Sequence, residues 1–99
     1  MEPALQYVDA VTVPVPDLES GMAFYCDVLG HEVLWRNEAA GQVGLATPRS
    51  ATEIVLTTEQ PYEPDWKVAS ADAAAELFLA GGGRVVAGPR DIPIGRLAV

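Results

Sequence analysis

Val11, Val13 and Val15 alternate with Thr12 and Pro14, the period-two pattern of a strand with one apolar face. Pro16 closes that run, and Asp17 stands where its carboxylate can accept from a free backbone N–H of a first helical turn. Leu18, Met22, Tyr25 and Leu29 follow at helical spacing, broadened by Phe24 and Val28. This spacing predicts a helix that buries one wide stripe and stops at Gly30. Three strands are predicted next, at residues 31–36, 42–47 and 52–58, in the order of a meander. Residues 59–65 carry two prolines among charged side chains and read as a linker.

The opening pattern then returns in weaker form. Residues 66–70 suit a short strand, Asp72 an N-cap, and residues 73–80 a helix with Ala74, Leu77 and Phe78 on its apolar side. Gly81, Gly82 and Gly83 stop it, and strands are predicted at 84–87 and 94–99 around a loop at 89–93. Asp17 and Asp72 as caps, with Gly30 and Gly82 as stops, hold corresponding places in two strand–helix units. The first spans about 5–58 and the second about 65–99. By analogy with the first, the second unit should have one more strand after Val99, so an open edge or a strand supplied by a partner chain is expected.

Composition narrows the classes. A chain of 99 residues is expected to form one small domain, and 49% hydrophobic with 20% charged residues marks an ordered globular protein. No apolar run approaches the ~20 residues of a membrane span, and the first residues lack the basic and apolar regions of a signal peptide. Arg36, Arg49, Lys67, Arg84, Arg90 and Arg96 are scattered singly in a chain of net charge -8, which disfavours nucleic acid and anionic membranes as partners. The acidic balance would attract a cationic ligand, and equally serves solubility. Cys26 is the single cysteine, so no intrachain disulfide forms; it reads as a small core residue in a reducing, cytoplasmic setting. No Ser-His-Asp set, Cys-His pair or glycine-rich phosphate loop is present, and Gly81 to Gly83 follow a helix instead of opening one.

The run V-x-V-P-D-L-E-x-x-x-x-F-Y-x-x-V-L-G, carried by Val13, Val15, Pro16, Asp17, Leu18, Glu19, Phe24, Tyr25, Val28, Leu29 and Gly30, resembles the vicinal oxygen chelate superfamily of glyoxalase, bleomycin-resistance proteins and extradiol dioxygenases. Asp72, Ala75, Gly82 and Gly83 extend the likeness into the second unit. The resemblance implies an α+β fold of two βαβββ-type units forming a curved mixed sheet around a pocket, the second unit without its last strand. It covers nearly the whole chain, yet each residue of the motif also has a structural role, so it speaks to fold more than to chemistry.

In metal-dependent members of that family, a His stands where this chain has Ala10, a Glu where it has Val55, and a second His where it has Trp66. A two-His-one-carboxylate centre needs two imidazoles, and His31, read as an exposed turn residue, is the only histidine. The expectation is therefore a chain without metal, cofactor or catalytic residues of that kind. The pocket that the resemblance implies would be lined by Val8, Ala10, Thr12, Val55 and Thr57. Trp35 and Trp66 would serve as aromatic walls, unless they are core or dimer-interface residues. Glu53, on the parity of Val55 and Thr57, would orient a ligand together with Arg96, the alternative being a surface carboxylate. Glu59 is a further candidate, and Glu63 and Asp65 would act as acid or base only with shifted pKa values. Three functions remain: a metal-free protein of the bleomycin-resistance type that sequesters a planar or cationic small molecule, a metal-dependent lyase or dioxygenase, and a dimerisation module without catalysis. A homodimer is compatible with all three.

Overall fold

The computed structural model describes residues 2–92 and 95–99. The chain divides into two compact units: residues 7–66, and residues 67–99 with those preceding Tyr7.

In the first unit the alternating valines lie in β1 (Tyr7–Pro14), four residues longer at its start than the valine pattern alone indicates. Asp17 caps α1 (Leu18–Met22) as expected: Oδ1 accepts from Ser20 N at 2.8 Å and Oδ2 from Ser20 Oγ at 2.9 Å. Those two bonds hold the Asp17 carboxyl below its ordinary pKa. The helix does not continue as one α-helix. Residues Ala23–Val28 widen into π-type turns, with Leu29 N donating to Phe24 O at 3.0 Å, and His31 N closes the end on Tyr25 O at 3.0 Å. Gly30, at φ +83°, supplies the left-handed residue that this closure requires.

The meander follows as β2 (Val33–Asn37), β3 (Gln42–Leu45) and β4 (Glu53–Thr57), each antiparallel to the next. β4 then lies parallel to β1, with Ala10 opposite Glu53 and Thr12 opposite Val55. The linker expected at 59–65 is partly strand: β5 (Glu63–Lys67) joins the far side of β1, completing the order β2-β3-β4-β1-β5. Pro64 is tolerated because β5 is an edge strand, where a missing N–H deprives no neighbour. The fold is α+β with an open mixed sheet.

One face of this sheet carries the core. Val43, Leu45 and Leu56 are fully buried, with Val13, Val15, Ile54 and the helical Leu18, Met22, Tyr25 and Cys26 packed on them. Period two then assigns Ala10, Thr12, Gly44, Glu53, Val55 and Thr57 to the opposite face. Cys26 is half-buried in that packing, the place expected for a small core residue.

In the second unit, α2 (Ala71–Ala80) starts two residues earlier than expected, and its cap is Ser70, whose Oγ accepts from Ala73 N at 3.1 Å. Asp72 sits in the first turn instead, where its charge still favours the helix N-terminus. Residues 84–87 form no regular strand; their backbone bonds instead with Val99, Ala87 accepting from Val99 N at 2.7 Å. The last strands pair antiparallel, β6 (Arg90–Ile92) against β7 (Gly95–Leu97), so β6 lies in residues expected as loop. Pro93 and Ile94, the expected end of that loop and start of the final strand, lie outside the described residues.

Leu56 sits at the centre of the first unit's core, so Leu56→Ala is expected to lower stability by about 2–5 kcal/mol. Urea denaturation followed by circular dichroism reads this directly, and a change below ~1 kcal/mol would show that the site collapses around the smaller residue.

Candidate functional site

The sheet face turned away from the helix gathers most of the residues that the sequence singled out. Ala10 and Thr12 come from β1, Glu53, Val55 and Thr57 from β4, and Trp35 from β2. Trp35 arrives there because of an irregularity. Val33 pairs with Leu45 and Trp35 with Gly44, so three residues of β2 oppose two of β3, and Leu34 is the extra one. Without the bulge, Leu34 would pair with Gly44 and Trp35 with Val43, and the indole would fall on the helix side. With it, Trp35, Gly44, Val55 and Thr12 form one row across four strands.

Gly44 makes room for that indole. A Cβ at position 44 would stand 2.1 Å from Trp35 Nε1, so the ring lies directly on the β3 backbone. Trp35 Nε1 donates to Glu53 Oε1 at 2.6 Å, a charge-assisted bond that fixes the carboxylate. Ala10, beside Glu53 in the register, offers only a methyl group. Trp35, Glu53 and Ala10 are each half-buried.

Thr12 and Thr57 share the face, and their hydroxyls are engaged. Thr12 Oγ1 donates to Pro61 O at 2.7 Å and accepts from Glu63 N at 3.2 Å. Thr57 Oγ1 accepts from the backbone N–H of Glu59 and of Gln60, both at 3.1 Å. Both threonines are buried and pin residues 59–63 to the sheet, while Val55 between them is 7% exposed. Trp66, at the end of β5, is 47% exposed. Arg96 belongs to the second unit, where Asp72 Oδ2 at 3.0 Å and Asp91 Oδ1 at 2.9 Å hold its guanidinium. His31 is half-buried rather than a free turn residue, its Nδ1 3.0 Å from the Ala46 carbonyl oxygen. Since that oxygen only accepts, Nδ1 is the donor in this bond.

Gly44 and the bulged Leu34 are the members of the site that pattern reading misses. An isolated glycine inside a strand run, here Gln42-Val43-Gly44-Leu45, is the available signal, since it marks a close approach by another group. Asp65, in β5, is half-buried. Burial first, then the charges of Glu63 and Asp9, push its carboxyl above the usual aspartate range.

The family resemblance implies a metal centre built from side chains at three of the positions named above. Ala10, Val55 and Trp66 bring no metal-binding atom to the positions concerned, and among the described residues no three His, Cys, Asp or Glu side chains gather so as to hold an ion. The residues present do not fit that group.

Two consequences are measurable. Gly44→Ala should force the indole off β3 and break its bond to Glu53, lowering stability by about 1–3 kcal/mol; a red shift of tryptophan emission reports the displaced ring. Asp65 binds its proton more tightly folded than unfolded, so its charge opposes folding at neutral pH, and that penalty disappears as pH falls through the raised value. Asp65→Asn should therefore raise Tm at pH 7 and leave it unchanged below about 3.9, the unfolded aspartate value. An equal shift at both pH values would assign the gain to something other than the charge.

Comparison with known proteins places this geometry. No curated protein sequence matches the chain significantly. Among solved structures, the fold is similar to methylmalonyl-CoA epimerase from Mycobacterium tuberculosis, at 23% identity and a TM-score of 0.76, over 94% of this chain and 77% of that one. A variant of the Streptomyces coelicolor methylmalonyl-CoA epimerase, in complex with 2-nitronate-propionyl-CoA, is similar at 23% identity and a TM-score of 0.74, over 96% and 86% of the two chains. A hypothetical protein from Bacillus halodurans C-125 gives 16% identity and a TM-score of 0.76, over 93% and 81%. The family model described as Glyoxalase/Bleomycin resistance protein/Dioxygenase superfamily matches residues 7–99. The chain therefore belongs to the glyoxalase/bleomycin resistance protein/dioxygenase superfamily.

Proposed function

We propose that the protein binds a small molecule on the sheet face that bears Trp35 and Glu53, in the manner of the bleomycin-resistance branch and without a metal ion. The observation that carries this reading is the donor set: positions where catalytic relatives are expected to hold imidazole and carboxylate here hold Ala10, Val55 and Trp66. In their place the face offers an aromatic ring and one fixed carboxylate, elements of a recognition site. The lone Cys26 supports a cytoplasmic setting. Phe24, Val28, Leu29 and Leu34, large apolar side chains left exposed in the first unit, support a homodimer.

A second reading is an isomerase acting on a CoA thioester, favoured by the epimerases among the similar structures. Charge weighs against it, because a net charge of -8 repels a polyanionic CoA ester.

Thermal shift of the purified protein against aromatic, cationic and CoA-ester compounds, with elemental analysis of the same preparation, separates the two. Saturable stabilisation by an aromatic or cationic compound without stoichiometric metal is expected. Stoichiometric Ni, Zn, Mn or Fe, or stabilisation by CoA esters alone, would favour the isomerase. Sedimentation of that sample across concentrations tests the dimer, which a concentration-independent monomer would exclude.

A further inference from the structure

We infer that Glu53, held by Trp35, makes this face selective for a planar aromatic cation, with the positive group beside the carboxylate and the rings against the indole. The inference rests on the proposed binding function and names its ligand class.

Four observations converge on it. Glu53 is the acidic side chain that the strand registers place on this face, among Ala10, Thr12, Gly44, Val55 and Thr57. The hydroxyls that could compete as polar anchors, Thr12 and Thr57, are spent on the backbone of residues 59–63. The Trp35 N–H satisfies Oε1 of Glu53 from one side, so the carboxylate is oriented before any ligand arrives and Oε2 remains for an incoming donor. Ala10, its partner in the register, sets only a methyl group beside it. A neutral ligand would have to match a half-buried carboxylate with hydrogen bonds alone, and an anion would meet repulsion from Glu53 and from the net charge of -8. A flat cation satisfies both groups at once, through a charge-assisted bond to Glu53 and stacking on Trp35. A purely structural pair would make no such distinction, since it requires only that the indole donate to an acceptor.

The test uses a matched pair of probes, 9-aminoacridine as the planar cation and acridine-9-carboxylate as the planar anion, titrated by calorimetry into wild-type protein, Glu53→Gln and Trp35→Phe. Wild type should favour the cation by about tenfold or more, a preference that shrinks as salt screens it. Glu53→Gln keeps an acceptor for the indole N–H and so preserves the fold, which circular dichroism checks, while the cation preference falls to about twofold or less. Trp35→Phe keeps a ring without the N–H, and should weaken both probes while narrowing the preference. Equal binding of the two probes to wild type, or a preference that survives Glu53→Gln, overturns the inference and leaves the proposed binding function standing. Failure of both probes to bind also overturns it, and failure of the whole thermal-shift panel overturns the binding function as well.

Discussion

Everything in the first unit depends on one packing contact: the helical stripe of Leu18, Met22 and Tyr25 against Val43, Leu45, Leu56 and their neighbours. Sealing that face fixes the phase of β1, β3 and β4 together, because side chains in a strand have only two directions. Once Val13, Ile54, Leu56, Val43 and Leu45 are committed to the core, Thr12, Glu53, Val55 and Gly44 have no alternative but the other side. The composition of the opposite face is thus a by-product of core formation.

That dependence explains what could be read from sequence. The valine alternation, the Asp17 cap and the meander are local signals, each complete within a few residues, and the structure holds all three. The features that escaped depend on partners remote in the chain. Pro64 reads as a breaker until β1 is known to lie beside it with β5 on the outside. Ser70 and Asp72 are equally good caps by residue type, and only the start of the helix chooses between them. Residues 84–87 are β-prone, but their backbone bonds go to Val99 and form no regular ladder.

The candidate site divides along the same line. Parity, anchored on the ligand positions that the family resemblance implies, assigns Ala10, Thr12, Glu53, Val55 and Thr57 to one face, which is where the registers put them. Parity could not say that the two threonine hydroxyls would be consumed by residues 59–63, since Thr12 meets Glu63 across 51 positions. Nor could it bring Trp35 to Glu53, a bond that needs both the bulge at Leu34 and the missing side chain at Gly44. Arg96, chosen as a polar anchor, turned out to be paired with Asp72 and Asp91 in the other unit.

The bulge at Leu34 behaves like a parity bit. A strand stores one binary value per residue, inside or outside, and a single inserted residue inverts every value beyond it on the unpinned side. Here Val33 keeps the core value, while Trp35 and everything after it in β2 read inverted, which also carries Arg36 to the helix side, where it meets Glu19 at 2.7 Å. The way this point of an edge strand pairs is therefore a discrete edit to the sheet face: with Leu34 paired to Gly44, Trp35 and Arg36 would exchange sides while β3, β4 and β1 kept their register.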